Sequence, residues 1–115
     1  MTVAAVLATN EPERLYAGLS VLVSTAADGE PCAALASFGA LELLLEPPAE
    51  GPLARSLGEL VEAALELDNL SVHACAAATQ VLAIDPSALT ERGLDGVKST
   101  PRFLRDTAGA RLIFV

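Results

Sequence analysis

Short apolar runs alternate with amphipathic stretches along the whole chain, and no other feature constrains its fold as much. Val3 to Ala8 is a continuous apolar run, suited to a strand covered on both faces rather than one with a wet side. After it, Thr9 or Asn10 is placed to cap a helix whose first turn holds Pro12 between Glu11 and Glu13. Leu15, Leu19, Leu22, Val23 and Ala26 then share one helical face, and Asp28-Gly29 stops the helix. Cys32 to Ser37 is a second strand candidate, Phe38-Gly39 a turn, and Ala40 to Leu45 a helical piece terminated by Pro47-Pro48. The segment Glu46 to Pro52 reads as an irregular loop, either a connector or a mobile lid.

From Leu53 onward, Leu57, Leu60, Val61, Ala64 and Leu65 form an apolar stripe opposite Arg55, Glu59, Glu62 and Glu66, the best-defined helix of the chain. Leu70 to Ala74 is a third strand leading to Cys75, and Ala76 to Ala83 a further helix. Asp85-Pro86 opens a short turn or helix that Gly93 closes. Val97 falls on a short fourth strand, Thr100-Pro101 begins a helix with Phe103 and Leu104 inward, and Leu112 to Val115 forms a terminal strand. The expected architecture is three-layer α/β/α. A central, mainly parallel sheet of about five strands is joined by right-handed crossovers in one domain over residues 1–115.

Composition limits what such a domain does. Apolar residues make up 52% of the chain, yet aromatics are only 3% and tryptophan is absent, so the core is expected to be aliphatic. With a mean hydropathy of +0.47, either subunits bury apolar surface between them in a homo-oligomer, or a fully buried sheet accounts for the excess. A net charge of −8, from 15 acidic and 7 basic residues, argues against a nucleic-acid partner. The longest apolar region, Pro31 to Leu45, is broken by Ser37, Gly39 and Glu42 and falls short of the about 20 residues that span a bilayer. The first apolar run lacks the basic flank of a signal peptide. A cytoplasmic protein with reduced cysteines and no membrane partner is expected. There is no GxGxxG or GxxxxGK[ST] fingerprint, and one histidine with two distant cysteines falls short of a zinc site, so neither cofactor nor metal is expected.

Cys75 is the residue best placed for chemistry. It stands where an expected strand gives way to an expected helix, and parallel α/β sheets bind ligands outside the carboxyl ends of their strands. The backbone N–H groups of Ala76 and Ala77 would face the site, and the helix end favours thiolate over thiol. Two further strand-end loops carry Asn10 and Phe38-Gly39, which would complete a shallow site. Asn10 would offer hydrogen bonds and Gly39 a close backbone approach, unless the two only cap and turn the chain. His73 shares a strand face with Cys75, but side chains two apart on one strand stand about 6–7 Å from each other, too far for a direct hydrogen bond. As a neutral base it would accept the thiol proton, and as a cation it would stabilise the thiolate, but that distance favours a buried or inter-subunit histidine over either role. Cys32 opens a strand at the opposite edge and reads as core.

Four segments together resemble the DsrE/DsrF-like sulfur-relay family, including the small DsrE-like proteins sometimes labelled peroxiredoxin-like. They are Ala8-Thr9-Asn10-Glu11-Pro12-Glu13-Arg14-Leu15, Ser37-Phe38-Gly39-Ala40-Leu41, Val72-His73-Ala74-Cys75, and Leu94-Asp95-Gly96-Val97 with Phe103-Leu104 and Leu112-Ile113-Phe114. The resemblance spans nearly the whole chain and implies a DsrE-like α/β domain assembled as a trimer or hexamer. It also implies that Cys75 accepts sulfane sulfur as a persulfide and hands it to a carrier such as a TusA-like protein. A non-catalytic DsrE-like oligomer that binds a small ligand or a partner is the alternative. A cysteine-based redox sensor would lack a nearby resolving cysteine.

Overall fold

The computed structural model describes residues 1–115. The elements follow in the order β1 (Val3–Leu7), α1 (Pro12–Ala27), β2 (Cys32–Ala36), α2 (Phe38–Leu45), α3 (Ala54–Glu66) and β3 (Leu70–Cys75). They continue with α4 (Ala76–Val81), α5 (Pro86–Arg92), β4 (Val97–Lys98), α6 (Thr100–Asp106) and β5 (Arg111–Phe114). The five strands form one sheet in the order β4-β3-β2-β1-β5, and every neighbouring pair is parallel.

The register explains why the strands read as apolar runs. Val3, Cys32 and Leu70 lie side by side, as do Ala5, Ala34 and Val72, and then Leu7, Ala36 and Ala74, all on one face. Ala4, Ala33 and Ser71, then Val6, Leu35 and His73, occupy the other. All five residues of β2 are buried, three of them alanines, so helices close tightly on the sheet. A Cβ on Gly18 of α1 would stand 3.0 Å from Val115 Cγ2 and 3.4 Å from Leu7 Cδ2, which marks where α1 crosses β1 and the end of β5. Leu15, Leu19, Leu22 and Ala26 fill the rest of that contact, and Phe103 is the only aromatic side chain among the fully buried ones.

From β1 to β4 the chain steps across the sheet in one direction, so right-handed crossovers set α1 to α5 on one face. Arg92 at the end of α5 ties that layer together by donating from Nε to the Leu44 carbonyl at 2.9 Å and pairing with Glu62 of α3. β5 then returns beyond β1, which sets α6 on the opposite face. That face has only this seven-residue helix over it. No helix is long and apolar enough to cross a membrane.

Several local expectations change. Neither Thr9 nor Asn10 caps α1: the N-cap is Glu11, without a side-chain hydrogen bond, and Thr9 Oγ1 instead accepts from the Glu11 N–H at 3.0 Å. β1 ends at Leu7 and β2 at Ala36, where Ser37 turns into α2, while β5 begins one residue earlier than expected. On α6 only Phe103 points inward. Leu104 is 46% exposed, because consecutive helical residues sit about 100° apart and a lone helix buries a narrow stripe.

The helix after Cys75 stops at Val81 rather than Ala83. Ala83 has a φ of 53°, the Ala83 N–H donates to the Gln80 carbonyl at 3.1 Å, and the Ile84 N–H donates to the Thr79 carbonyl at 3.0 Å. This is a Schellman ending with alanine where glycine is usual, and the left-handed conformation costs alanine roughly 1–2 kcal/mol. Ala83→Gly is therefore expected to stabilise the protein by about 0.5–1 kcal/mol in urea unfolding, and a loss of stability would contradict this ending.

Candidate functional site

Cys75 ends β3, between β2 and β4, and its side chain lies on the α6 face beside Lys98, its register partner. Both flanking strands are followed by a hydroxyl residue that lowers the Cys75 pKa, Ser37 and Thr100, neither of them hydrogen-bonded to the sulfur. Ser37 donates its backbone N–H to the Leu7 carbonyl at 2.8 Å but does not use its hydroxyl to cap α2. Ser99 caps α6 by accepting from the Arg102 N–H at 3.3 Å, and the next hydroxyl, that of Thr100, acts to lower the Cys75 pKa. From the other side Thr79 Oγ1 donates to the Cys75 carbonyl at 2.8 Å and holds the strand-to-helix corner.

Burial of Cys75 raises the pKa of its thiol, but the amide of Ala78, the hydroxyl of Ser37, the amide of Ala77 and the hydroxyl of Thr100 outweigh it, so the net shift is downward. The amides act as polar neighbours, short of a formal N-cap hydrogen bond. Cys32 provides the contrast. Burial raises its pKa, a backbone contact at Val3 offsets this only in part, the Glu30 carboxylate adds to the rise, and the net shift is upward. Two buried thiols in one sheet thus shift in opposite directions, and the difference is the ring of donors around Cys75.

His73 does not belong to that ring. Its pKa is lowered, first by burial and then by Lys98, against opposing pulls from Asp95 and Asp106, so the imidazole is neutral at neutral pH. Its Nδ1 is buried without a hydrogen-bond partner. The structure therefore replaces an imidazolium, as the source of thiolate stabilisation, with hydroxyls and amides.

The remaining expected residues divide. Ala77 stands at the sulfur, and Ala76 begins α4 beside it. Asn10 and Gly39 meet each other rather than the thiol: a Cβ on Gly39 would lie 2.5 Å from Asn10 Cβ and 2.8 Å from its Cα. The Asn10 amide is exposed and makes no hydrogen bond within the chain. Phe38 is 43% exposed and holds a φ of 42°, a conformation that disfavours a bulky side chain. Gly39 must press against the Asn10 backbone, and Phe38 turns the chain into that contact.

The expected shallow site shared by three loops is not a cavity. The largest opening, about 420 Å³, lies between the first turn of α1 and residues 48–54, and Cys75, Asn10, Phe38 and Gly39 line none of the cavities found. Cys75 itself is only 7% exposed. No three His, Cys, Asp or Glu side chains gather where they could hold a metal ion. Ser37, Ala78 and Thr100 escaped the reading of the sequence, where Ser37 ends a strand and Thr100 starts a helix. The signal that points to them is a hydroxyl just past each strand that neighbours the cysteine's own.

No model of a known protein family matches the chain, and no curated protein is similar to it in sequence. Fold and geometry define a parallel α/β protein with a thiolate-favouring cysteine at the carboxyl end of an interior strand.

Gly39→Ala is expected to destabilise the protein by about 1–3 kcal/mol in urea unfolding, because the added methyl meets backbone that cannot swing aside. An unchanged midpoint would show that the two loops are not in the contact described.

Proposed function

We propose that the protein carries sulfane sulfur as a persulfide on Cys75. The observation behind this reading is the place of Cys75 at the carboxyl end of interior strand β3 and the amino end of α4, where nearby amides and hydroxyls lower its thiol pKa while that of Cys32 is raised. The sequence resemblance to the DsrE/DsrF-like sulfur-relay family supports it. The Cys75 thiolate attacks the terminal sulfur of a donor persulfide, R–S–S⁻. The new sulfur–sulfur bond makes Cys75–S–S⁻, and the donor's bond breaks to release R–S⁻. A thiolate on an acceptor, such as a TusA-like carrier, attacks the outer sulfur, and Cys75 leaves as thiolate. Sulfur and charge balance in both steps without an external oxidant. The Ser37 and Thr100 hydroxyls and the α4 amides stabilise the leaving thiolate, and a reducing, cytoplasmic compartment keeps both cysteines available. The resemblance implies a trimer or hexamer, and of the two only the hexamer holds an even number of subunits.

A second reading rests on one observation. Cys75 is 7% exposed and lines no cavity, which favours a non-catalytic DsrE-like oligomer whose cysteine only packs.

Intact-mass measurement after brief exposure to inorganic polysulfide separates the two. The wild type and Cys32→Ser are expected to gain the mass of one sulfur atom, which a dithiol removes, and Cys75→Ser is not. Ser37→Ala with Thr100→Val should slow the gain at neutral pH without unfolding the protein. A gain that survives in Cys75→Ser, or a wild type that stays unmodified while folded, rejects the persulfide reading.

A further inference from the structure

The two edges of the sheet are built differently. At one edge, β4 is two residues long, carries Lys98 and is followed closely by Pro101, and short length, lysine and proline are the usual ways in which an edge strand is kept from pairing. At the other edge, β5 has none of these: it reads Arg111-Leu112-Ile113-Phe114, runs straight into Val115, and has an arginine only at its start.

Its hydrogen-bonding groups are half used. The Arg111 N–H donates to the Thr2 carbonyl at 3.0 Å, the Val115 N–H donates to the Val6 carbonyl at 2.9 Å, and the Val115 carbonyl accepts from Ala8 at 2.7 Å. In a parallel ladder alternate residues address the same neighbour, so Arg111, Ile113 and Val115 face β1. The N–H and C=O groups of Leu112 and Phe114 then point out of the sheet, where no strand follows.

The surroundings are apolar on both faces. On the α6 face Leu112 is 52% exposed and Phe114 75%, beyond the reach of the single short helix. On the α1 face a shallow groove of about 290 Å³ runs between Ala17, Val21 and Ile113, and Val21 is 48% exposed. The only charged side chain lining it is Arg14, already paired with Glu11 at 3.5 Å. The chain carries 15 acidic residues and none of them lines this groove, so a second copy would meet less repulsion here than the net charge of −8 brings elsewhere.

We propose that β5 is the interface with a second copy of this chain, paired antiparallel about a two-fold axis at Ile113, so that two five-stranded sheets become one continuous sheet. In that register Leu112 stands opposite the second copy's Phe114 and Phe114 opposite its Leu112. Each such pair exchanges N–H and C=O bonds, which uses every outward group of both strands. The same arrangement stacks leucine on phenylalanine on one face, while Ile113 meets its own copy on the other and α1 meets α1 through Ala17 and Val21. Cys75 lies on β3, separated from this edge by β2 and β1, so the interface stands or falls independently of the sulfur chemistry.

Sedimentation equilibrium across micromolar concentrations tests this on the wild type, Leu112→Pro and Phe114→Lys. Proline at 112 removes an N–H that the ladder to β1 does not use, so the fold is retained, which circular dichroism and unchanged alkylation of Cys75 check independently. The expected result is an even number of subunits in the wild type, two chains of 11.8 kDa in the simplest case, that halves in both variants. A wild type of one chain, an odd number of subunits, or an assembly that persists in both folded variants overturns the proposal.

Discussion

The whole molecule depends on a sheet whose central strand is buried on both faces. β2 has every residue buried, and its neighbours β1 and β3 bring alanine to the same rows, so the backbone amides and carbonyls of these strands have no access to water and must pair with each other. A parallel ladder meets that demand and sends every connection back over the sheet as a helix. Alanine is what lets these helices come close. The core is then completed by leucines from α1, α2 and α3 and by Phe103 from the other side, with each fully buried leucine contributing about 1.5–3 kcal/mol.

The same parallel arrangement turns a packing element into a chemical one. All strands end at one side of the sheet, so Cys75 finds Ser37 and Thr100 beyond the ends of its two neighbours and the first amides of α4 above it. Cys32 sits at the other end of the strands, where its sulfur contacts the Glu30 carbonyl at 3.5 Å and lies near the Glu30 carboxylate. Both sulfurs are desolvated, and their opposite shifts follow from what each strand end offers: two hydroxyls and two backbone amides at one, a single backbone contact at Val3 opposed by the Glu30 carboxylate at the other.

Much of the fold was legible because buried strands and amphipathic helices leave different periods. The five strands, the helix from Leu53 and the left-handed Gly93 closing α5 all follow from spacing and turn chemistry. Strand order was not legible: nothing in Leu112 to Val115 says that it returns beside β1 instead of adding beyond β4. That missing adjacency hid Thr100, whose role depends on β4 lying next to β3, and it also hid the contrast between the two sheet edges. Cys75 could be singled out from its place between a strand and a helix, whereas Asn10 and Gly39, chosen for the same reason, serve each other. A strand-end position says which side of the sheet a residue occupies, not which neighbour it touches.

One fold drives two buried thiols in opposite directions, and a pH titration of the two cysteine ¹³Cβ resonances by NMR measures this in a single sample. The midpoint for Cys75 is expected below that of a free thiol and the one for Cys32 above it, with the Cys75 midpoint rising when Ser37 and Thr100 lose their hydroxyls. Because the folded-state pKa of Cys75 is depressed, its contribution to stability is present above the unfolded pKa and is lost as pH falls through the folded value. A Cys75 midpoint at or above that of Cys32 would contradict the account.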